Sequence, residues 1–173
     1  MQNNRVNLRA VEPADIDFIY RLENDAHNMI SAEQKEPVSR YAIEQYVLSV
    51  GDGFFTSGQM KLIIESNDTP EKKSIGCVDL FEGDTINRRA GIGIFIVAEA
   101  QKKGYASAAL GLMIEYCFET LGLHQLFCNI GEENKDSLKL FTNHGFQIVG
   151  LKKDWRYYNK SWKNEYMLQL ING

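Results

Sequence analysis

The sequence predicts a mixed α/β fold: a twisted, mostly antiparallel sheet of about seven strands, with four helices distributed over both faces. Three observations carry this. Short β-patterned runs in the middle of the chain are separated by tight turns, which makes antiparallel neighbours. The stretch Gly104 to Leu121 places Ala106, Ala109, Leu110, Met113, Ile114, Cys117, Phe118 and Leu121 at the i, i+3, i+4, i+7 spacing of one helical face. The strand, helix, strand order around that helix demands a crossover, which is right-handed in such sheets.

Asn7 to Val11 reads as the first strand. Glu12-Pro13 opens a helix, because proline suits the first helical position, and Ile16, Ile19 and Tyr20 form its apolar face. Residues 24–38 are polar and irregular and close at Pro37. Ser39 is the N-cap of a second helix that runs through Leu48 and ends before Gly51-Asp52-Gly53. Met60 to Glu65 is a strand, Asn67 to Lys73 a turn and Lys73 to Phe81 the next strand. Gly83-Asp84 turns the chain toward Arg88 to Val97. After the long helix, Gln125 to Ile130 is a strand, Asn134 to Asn143 a helix and Phe146 to Val149 a strand. Asp154 to Tyr158 and Trp162 to Ile171 form a closing hairpin around Asn159-Lys160-Ser161.

The 173 residues suit one domain over 1–173, large enough for a real core. No run is apolar enough to span a bilayer, and Met1 opens no signal peptide. A net charge of −4 argues against a nucleic-acid binder, which carries a basic face, and is compatible with a cationic substrate. Cys77, Cys117 and Cys128 lie inside apolar runs, and an odd count without short spacing speaks against a disulfide framework or a zinc site. His27, His124 and His144 show no metal-ligand spacing. A cytoplasmic protein without metal is the expectation.

Chemistry enters at Gln101-Lys102-Lys103-Gly104-Tyr105-Ala106. A strand feeding a glycine-containing turn and then a helix makes an anion site, because the first helical N–H groups lack internal partners and carry positive partial charge. Gly104 removes a side chain that would block approach, and Lys102 and Lys103 add charge. A steric glycine with solvated lysines is the competing reading. The Walker pattern is excluded because Tyr105 follows Gly104, and the three-glycine dinucleotide fingerprint because the turn has one glycine.

Two motifs in order resemble the GCN5-related N-acetyltransferase superfamily, and within it the spermidine and ribosomal-protein branch. Gln101 to Ala106 matches the family's acetyl-CoA signature, Gln/Arg-x-x-Gly-x-Gly/Ala. Downstream, Asn134-Lys135-Asp136-Ser137-Leu138-Lys139-Leu140-Phe141 followed by Gly145-Phe146 resembles Asn-x-x-Ser/Ala-x-x-x-Tyr/Phe and Gly-Phe. The resemblance covers nearly the whole chain. It implies that two central strands splay apart and that the thioester lies in the gap. It implies that the loop amides of Lys102 to Ala106 hold the pyrophosphate and that Phe95, Ile96 and Val97 bond the pantetheine arm. With Gln101, Asn134, Ser137 and Phe141 these form the implied acetyl-CoA site. Gly91 and Gly93 fit a bend or close approach, or simple packing. Asn134 also reads as a plain N-cap.

An amine that attacks the thioester must lose a proton, since an alkylamine has a pKa of ~10.4, and a carboxylate or water chain serves as base. Asp79-Leu80-Phe81-Glu82 resembles an acidic pair of the spermidine branch, so Asp79 and Glu82 are the catalytic candidates. Residues i and i+3 on a strand face opposite ways, so the two meet only if the strand bends. Asp79 also reads as a structural aspartate. Glu33 and Glu36, in the loop that shapes the acceptor site in relatives, are candidates for substrate binding or solvated charges, and Glu165 is a further candidate. Trp155 and Tyr157 wall an acceptor pocket or serve packing. The chain departs from the spermidine enzymes at Phe141, where they carry a tyrosine that protonates the leaving thiolate. Tyr105, Tyr157 or water replaces it, or the thiolate leaves unaided, or the protein binds acetyl-CoA without turnover.

The expected activity is acetyl-CoA-dependent acetylation of a primary amine, a polyamine-type small molecule ahead of a protein N-terminal amine, with a non-catalytic acyl-CoA-binding module as the rival. The expected partner is that amine, with neither nucleic acid nor membrane, and homo-oligomerisation is left open.

Overall fold

Seven strands, β1 (Val6–Ala10), β2 (Met60–Ser66), β3 (Ser74–Asp84), β4 (Arg89–Ile96), β5 (Gln125–Gly131), β6 (Gln147–Tyr158) and β7 (Ser161–Ile171), form one sheet in the order β1-β2-β3-β4-β5-β7-β6. Among the described residues only the β4–β5 pair is parallel. The computed structural model describes residues 1–31, 36–49, 53–68 and 70–173. Among them no helix is long and apolar enough to cross a membrane.

Helices α1 (Ile16–Glu23), α2 (Ala26–Ser31), α3 (Arg40–Ser49), α4 (Phe54–Ser57), α5 (Tyr105–Glu115) and α6 (Lys135–Asn143) fall on both faces. Side-chain alternation along β2 shows why the sheet needs both layers. Leu62 and Ile64 join the core made with Ala109, Leu110, Met113 and Cys117 around α5, while Ile63 joins Val11, Ile19, Ile43 and Val47 under α1 and α3. Strands covered on both sides lose the clean apolar-polar alternation of a half-exposed sheet, and β2 and β4 read accordingly.

Several element boundaries differ from expectation for identifiable reasons. The polar stretch 24–38 contains α2, opened by Asp25, whose carboxylate accepts the Asn28 amide at 3.1 Å while its carbonyl accepts Met29 N–H at 2.9 Å. An Asx cap supplies the nucleus there, so polarity did not mean irregularity. The single-turn α4 buries Phe54 and ends at Gly58, where φ is +69°. Counting α2 and α4, the described residues hold six helices against the four expected. α5 passes into a π-helical stretch, Tyr116–Thr120, which carries the apolar face on toward Leu121. The two late strands at Phe146–Val149 and Asp154–Tyr158 are one continuous β6, irregular between Ile148 and Gly150 and between Lys152 and Arg156. β3 runs on to Asp84, with a register shift after Phe81 and φ +49° at Glu82.

Candidate active site

β4 and β5 pair only at Arg89–Gln125, Ala90–Leu126 and Gly91–Phe127. Beyond that β5 follows β7 as far as Gly131–Glu165, while β4 stays with β3 as far as Gly76–Ile96. A V-shaped gap opens between the two strands. Gly91 marks its closed end: a Cβ there would stand 2.6 Å from Cδ2 and Cζ of Phe81, so the missing side chain seats that ring. Phe81 in turn meets Phe127 edge-on at 6.0 Å across the closed end. Packing therefore explains this glycine.

At the open end, β4 leads through a short 3-10 turn, Ala98–Ala100, into the anion-type turn and α5. Gln101 closes the turn on its strand by donating from Nε2 to the Ile96 carbonyl at 3.0 Å. Lys102 and Gly104 both have positive φ, +59° and +83°, and Gly104 is the N-cap of α5. These left-handed residues lead directly into the first residues of α5, Tyr105, Ala106 and Ser107, which line the cleft, the setting in which anion nests form. The cleft has a volume of about 790 Å³ and is lined by Ile94, Phe95, Ile96, Gln101, Lys102, Gly104, Tyr105, Ala106, Ser107, Asn134, Lys135 and Ser137, with Asn28 and Glu133 at its far wall.

The chemistry of this lining fits acetyl-CoA. Helix-terminal amides and lysines are the groups a pyrophosphate requires, and the β4 edge beyond Gly91 has no β5 partner, as an amide-bearing pantetheine arm requires. Asn134 does two things: its Oδ1 accepts Ser137 N–H at 3.1 Å as the α6 N-cap, and the residue lines the cleft.

Three expected cofactor residues sit elsewhere. Phe141 is 4 % exposed, packs edge-on against Phe146 at 5.0 Å and belongs to the α5-side core rather than the cleft wall. The Lys103 carbonyl accepts from Arg5 Nη2 at 2.6 Å, and the residue does not line the cleft. Val97 lines an adjoining pocket of about 480 Å³ with Arg21, Asp25 and Glu99. Arg5 was not legible in the sequence. It lies 98 residues from Lys103, and its guanidinium also covers the Tyr105 ring at 5.6 Å. The Tyr105 hydroxyl donates to Asp68 and accepts from Ser66 Oγ at 3.4 Å, which commits it away from a leaving thiolate.

The two catalytic candidates separate. Asp79 lies on the α1–α3 side, where Lys61 Nζ bonds it at 3.0 Å and Glu23 at 2.7 Å, and the Cys77 thiol approaches it at 3.7 Å. Burial pushes the Asp79 carboxyl above its ordinary value, and Lys61 pulls part of that back. The bulge after Phe81 brings Glu82 onto this same face, opposite α5, but into a separate cleft of about 870 Å³ with Asp84, Arg89, Phe127, Asn129 and Lys152. Glu165 is buried, bonds Lys152 Nζ at 3.1 Å and stands 3.9 Å from Arg156 Nε. Glu36 is exposed, and Glu33 lies outside the described residues. Trp155 and Tyr157 are 57 % and 58 % exposed on the β6–β7 hairpin, with Lys152 Nζ 4.9 Å from the Trp155 ring centre and Tyr157 against Trp162 at 5.1 Å. Neither belongs to the core. Among the described residues no group of three or more His, Cys, Asp and Glu could hold a metal ion.

A family model described as an acetyltransferase (GNAT) domain matches residues 5–147. The chain belongs to that family. It is an N-acetyltransferase, and its co-substrate is acetyl-CoA. Spermidine N(1)-acetyltransferase of Vibrio cholerae is 30% identical over 150 residues, covering 86% of this chain and 82% of the relative. The crystal structure of the Vibrio cholerae spermidine N-acetyltransferase in complex with CoA and spermine superposes with a TM-score of 0.87 at 27% identity, covering 98% of this chain and 96% of that one. A dodecameric structure of the Vibrio cholerae enzyme in an intermediate state gives a TM-score of 0.81 at 26% identity, covering 98% and 95%.

Proposed function

We propose that this acetyltransferase acts on a primary amine of a polyamine, which reaches the β4–β5 gap from the face opposite α5. The observation that carries the reading is the gap itself. It opens beside the phosphate-type cleft, and the Glu82 cleft lies on the opposite face of the sheet, against the paired end of β4 and β5 at Arg89–Gln125 and Gly91–Phe127. Acetyl-CoA, held on the α5 side, supplies an activated acyl group whose thiolate leaves. The chain's own residues then have separable tasks. The turn 101–106 and the α5 amides hold the pyrophosphate, the β4 edge aligns the pantetheine arm, and its main-chain N–H groups are placed to stabilise an oxyanion.

Glu82 is the proposed proton acceptor, directly or through water, because its carboxylate opens onto the acceptor cleft. Asp79 is committed to Lys61 and supports the sheet behind it. With Phe141 in the core and Tyr105 bonded to Asp68, the thiolate leaves unaided or with a proton from water. A thiol pKa near ~8.5 makes that feasible. Glu82 gives the cleft a carboxylate for a cationic chain, Asp84 being paired with Arg89 at 3.2 Å, and the spermidine N-acetyltransferases among the relatives favour a polyamine over a peptide N-terminus.

Three broader parts belong to the same proposal. Residues 148–173 complete one acetyltransferase domain over 1–173, because β7 pairs between β5 and β6. The setting is cytoplasmic, in keeping with three buried, free cysteines. The chain self-associates along β6, a twelve-residue edge strand with Ile148, Val149, Leu151 and Trp155 exposed. Such an edge is otherwise open to uncontrolled pairing. Light scattering of the purified chain, with Leu151→Lys as a disrupting variant, checks the last point. A thiol-release assay with acetyl-CoA against spermidine, spermine and N-terminal peptide amines checks the activity. Preference for the peptides would turn the reading to the N-terminal alternative.

A further inference from the structure

Arg156 stands where α2, the β5–α6 turn and the β6–β7 hairpin meet. Its side chain is 9 % exposed, low for an arginine. Nη2 donates to the Ile30 carbonyl on α2 across 126 residues of sequence. Nη1 lies 3.5 Å from Glu133 Oε1, and Nε lies 3.9 Å from Glu165 Oε1. Gly131 makes the room: a Cβ there would collide with Arg156 Nη1 and stand 2.8 Å from Glu133 Oε1. A planar fork with five donors suits a site that must satisfy a carbonyl and two carboxylates together, and an ammonium does not.

The placement of α2 gives this cluster its meaning. Asn28 of α2 and Glu133 of the β5–α6 turn both line the cofactor cleft. Asn28 is fixed to α1 by its Nδ2, which donates to the Leu22 carbonyl at 3.0 Å. α2 therefore reaches the β4 side of the gap through Asn28 and the β5–β7 side through Ile30 and Arg156. It lies across the open end of the V.

We propose that Arg156 is a positioning residue that straps α2 across the open end of the β4–β5 gap and so fixes the wall against which the acceptor amine is aligned. It touches neither the phosphate turn nor the reacting atoms. The inference rests on the acetyl-transfer reading, and its test includes a measurement that does not.

Arg156→Gln, Arg156→Lys and Gly131→Ala are compared with the wild type. Gly131→Ala displaces the guanidinium without removing it. The readouts are CoA affinity by calorimetry, kcat and KM for spermine, and amide hydrogen exchange over residues 26–31. In Arg156→Gln the spermine KM is expected to rise about tenfold or more with kcat changed less than about threefold. CoA affinity should stay within about threefold, and α2 amides should exchange faster. Gly131→Ala should move the same quantities in the same direction, and Arg156→Lys should recover part of the loss. An unchanged spermine KM, unchanged α2 exchange, or an equal loss of CoA affinity overturns the proposal. If Arg156→Gln does not fold, Gly131→Ala decides by the same criteria. If wild type does not acetylate spermine, the functional reading fails, and the exchange comparison alone decides whether Arg156 straps α2.

Discussion

On the α5 side of the gap, most of the cleft lining comes from one continuous strand–turn–helix segment, Ile94 to Ser107, whose main chain is suited to the cofactor: the amides that open α5, the turn at Lys102 and Gly104, and the β4 edge from Ile94 to Ile96. On the opposite side the lining consists of side chains gathered from β3, β4, β5, β6 and β7: Glu82, Arg89, Phe127, Lys152 and Met167. The first arrangement depends on conformation within a single strand–turn–helix segment. The second depends on sheet register and on a bulge. A main-chain site tolerates side-chain drift and suits a co-substrate common to a whole family. A side-chain site can be retuned residue by residue, as an acceptor site must be to discriminate among amines.

The largest expected effect breaks the main-chain side. Gly104 has φ +83° and open space at its Cβ position, where Arg5 Cζ lies 3.8 Å away. Its φ adds a conformational requirement to the room that the missing side chain leaves for an approaching phosphate. Gly104→Val should weaken CoA binding by about 2 kcal/mol or more, through loss of several charge-assisted bonds. It should also lower stability by about 1–2 kcal/mol, the strain of a left-handed β-branched residue. Calorimetry and thermal unfolding on the same sample separate the two.

The next effect breaks the side-chain side and leaves the other intact. Glu82→Gln should lower turnover about 10²-fold if Glu82 accepts the amine proton, with CoA affinity unchanged. Asp79→Asn should do the reverse. It leaves the largely buried Lys61 ammonium with one carboxylate partner fewer, so thermal stability falls while turnover changes little. A large turnover loss in Asp79→Asn with Glu82→Gln silent would exchange their roles.

Acid stability sharpens the contrast further. Arg9 bonds both Asp15 and Glu65 at 2.6 Å, and those bonds outweigh burial to hold both carboxyls below their ordinary values. Such depressed groups contribute stability that is complete above the ordinary carboxylate range of ~4 and is lost as pH falls through the folded values. Arg9→Gln should therefore reduce stability near neutral pH and flatten its fall under acid. Thermal midpoints between pH 3 and pH 7 check this.

The smallest effect on turnover is expected at Phe141→Tyr. The ring is packed in the core against Phe146, so an added hydroxyl has no route to the sulfur. It should cost about 1–3 kcal/mol of stability as a buried polar group and leave the rate unchanged. A rate increase would place this residue at the cleft after all.

The same contrast explains what the sequence made legible. The turn Gln101–Ala106 and the N-cap Asn134 are local devices, written within a few residues, and both line the cleft. β4 and α5 were readable from periodicity because their partners impose a regular face. Arg5 and Arg156 were not, because each acts on a carbonyl far along the chain, Lys103 in one case and Ile30 in the other. That Glu82 shares a face of the sheet with Asp79 hung on one bulge, whose only sequence sign was Gly83 beside Glu82. α2 was hidden in polar composition because its nucleus is an aspartate cap.

The most direct measurement of the central claim is steady-state thiol release from acetyl-CoA with spermidine as acceptor, run beside calorimetric CoA binding on the same preparation. CoA should bind, acetylspermidine should form well above the uncatalysed rate, and Glu82→Gln should abolish most of that rate while binding CoA normally. CoA bound at full occupancy with no transfer to spermidine, spermine or any peptide amine would contradict it and leave an acyl-CoA-binding module.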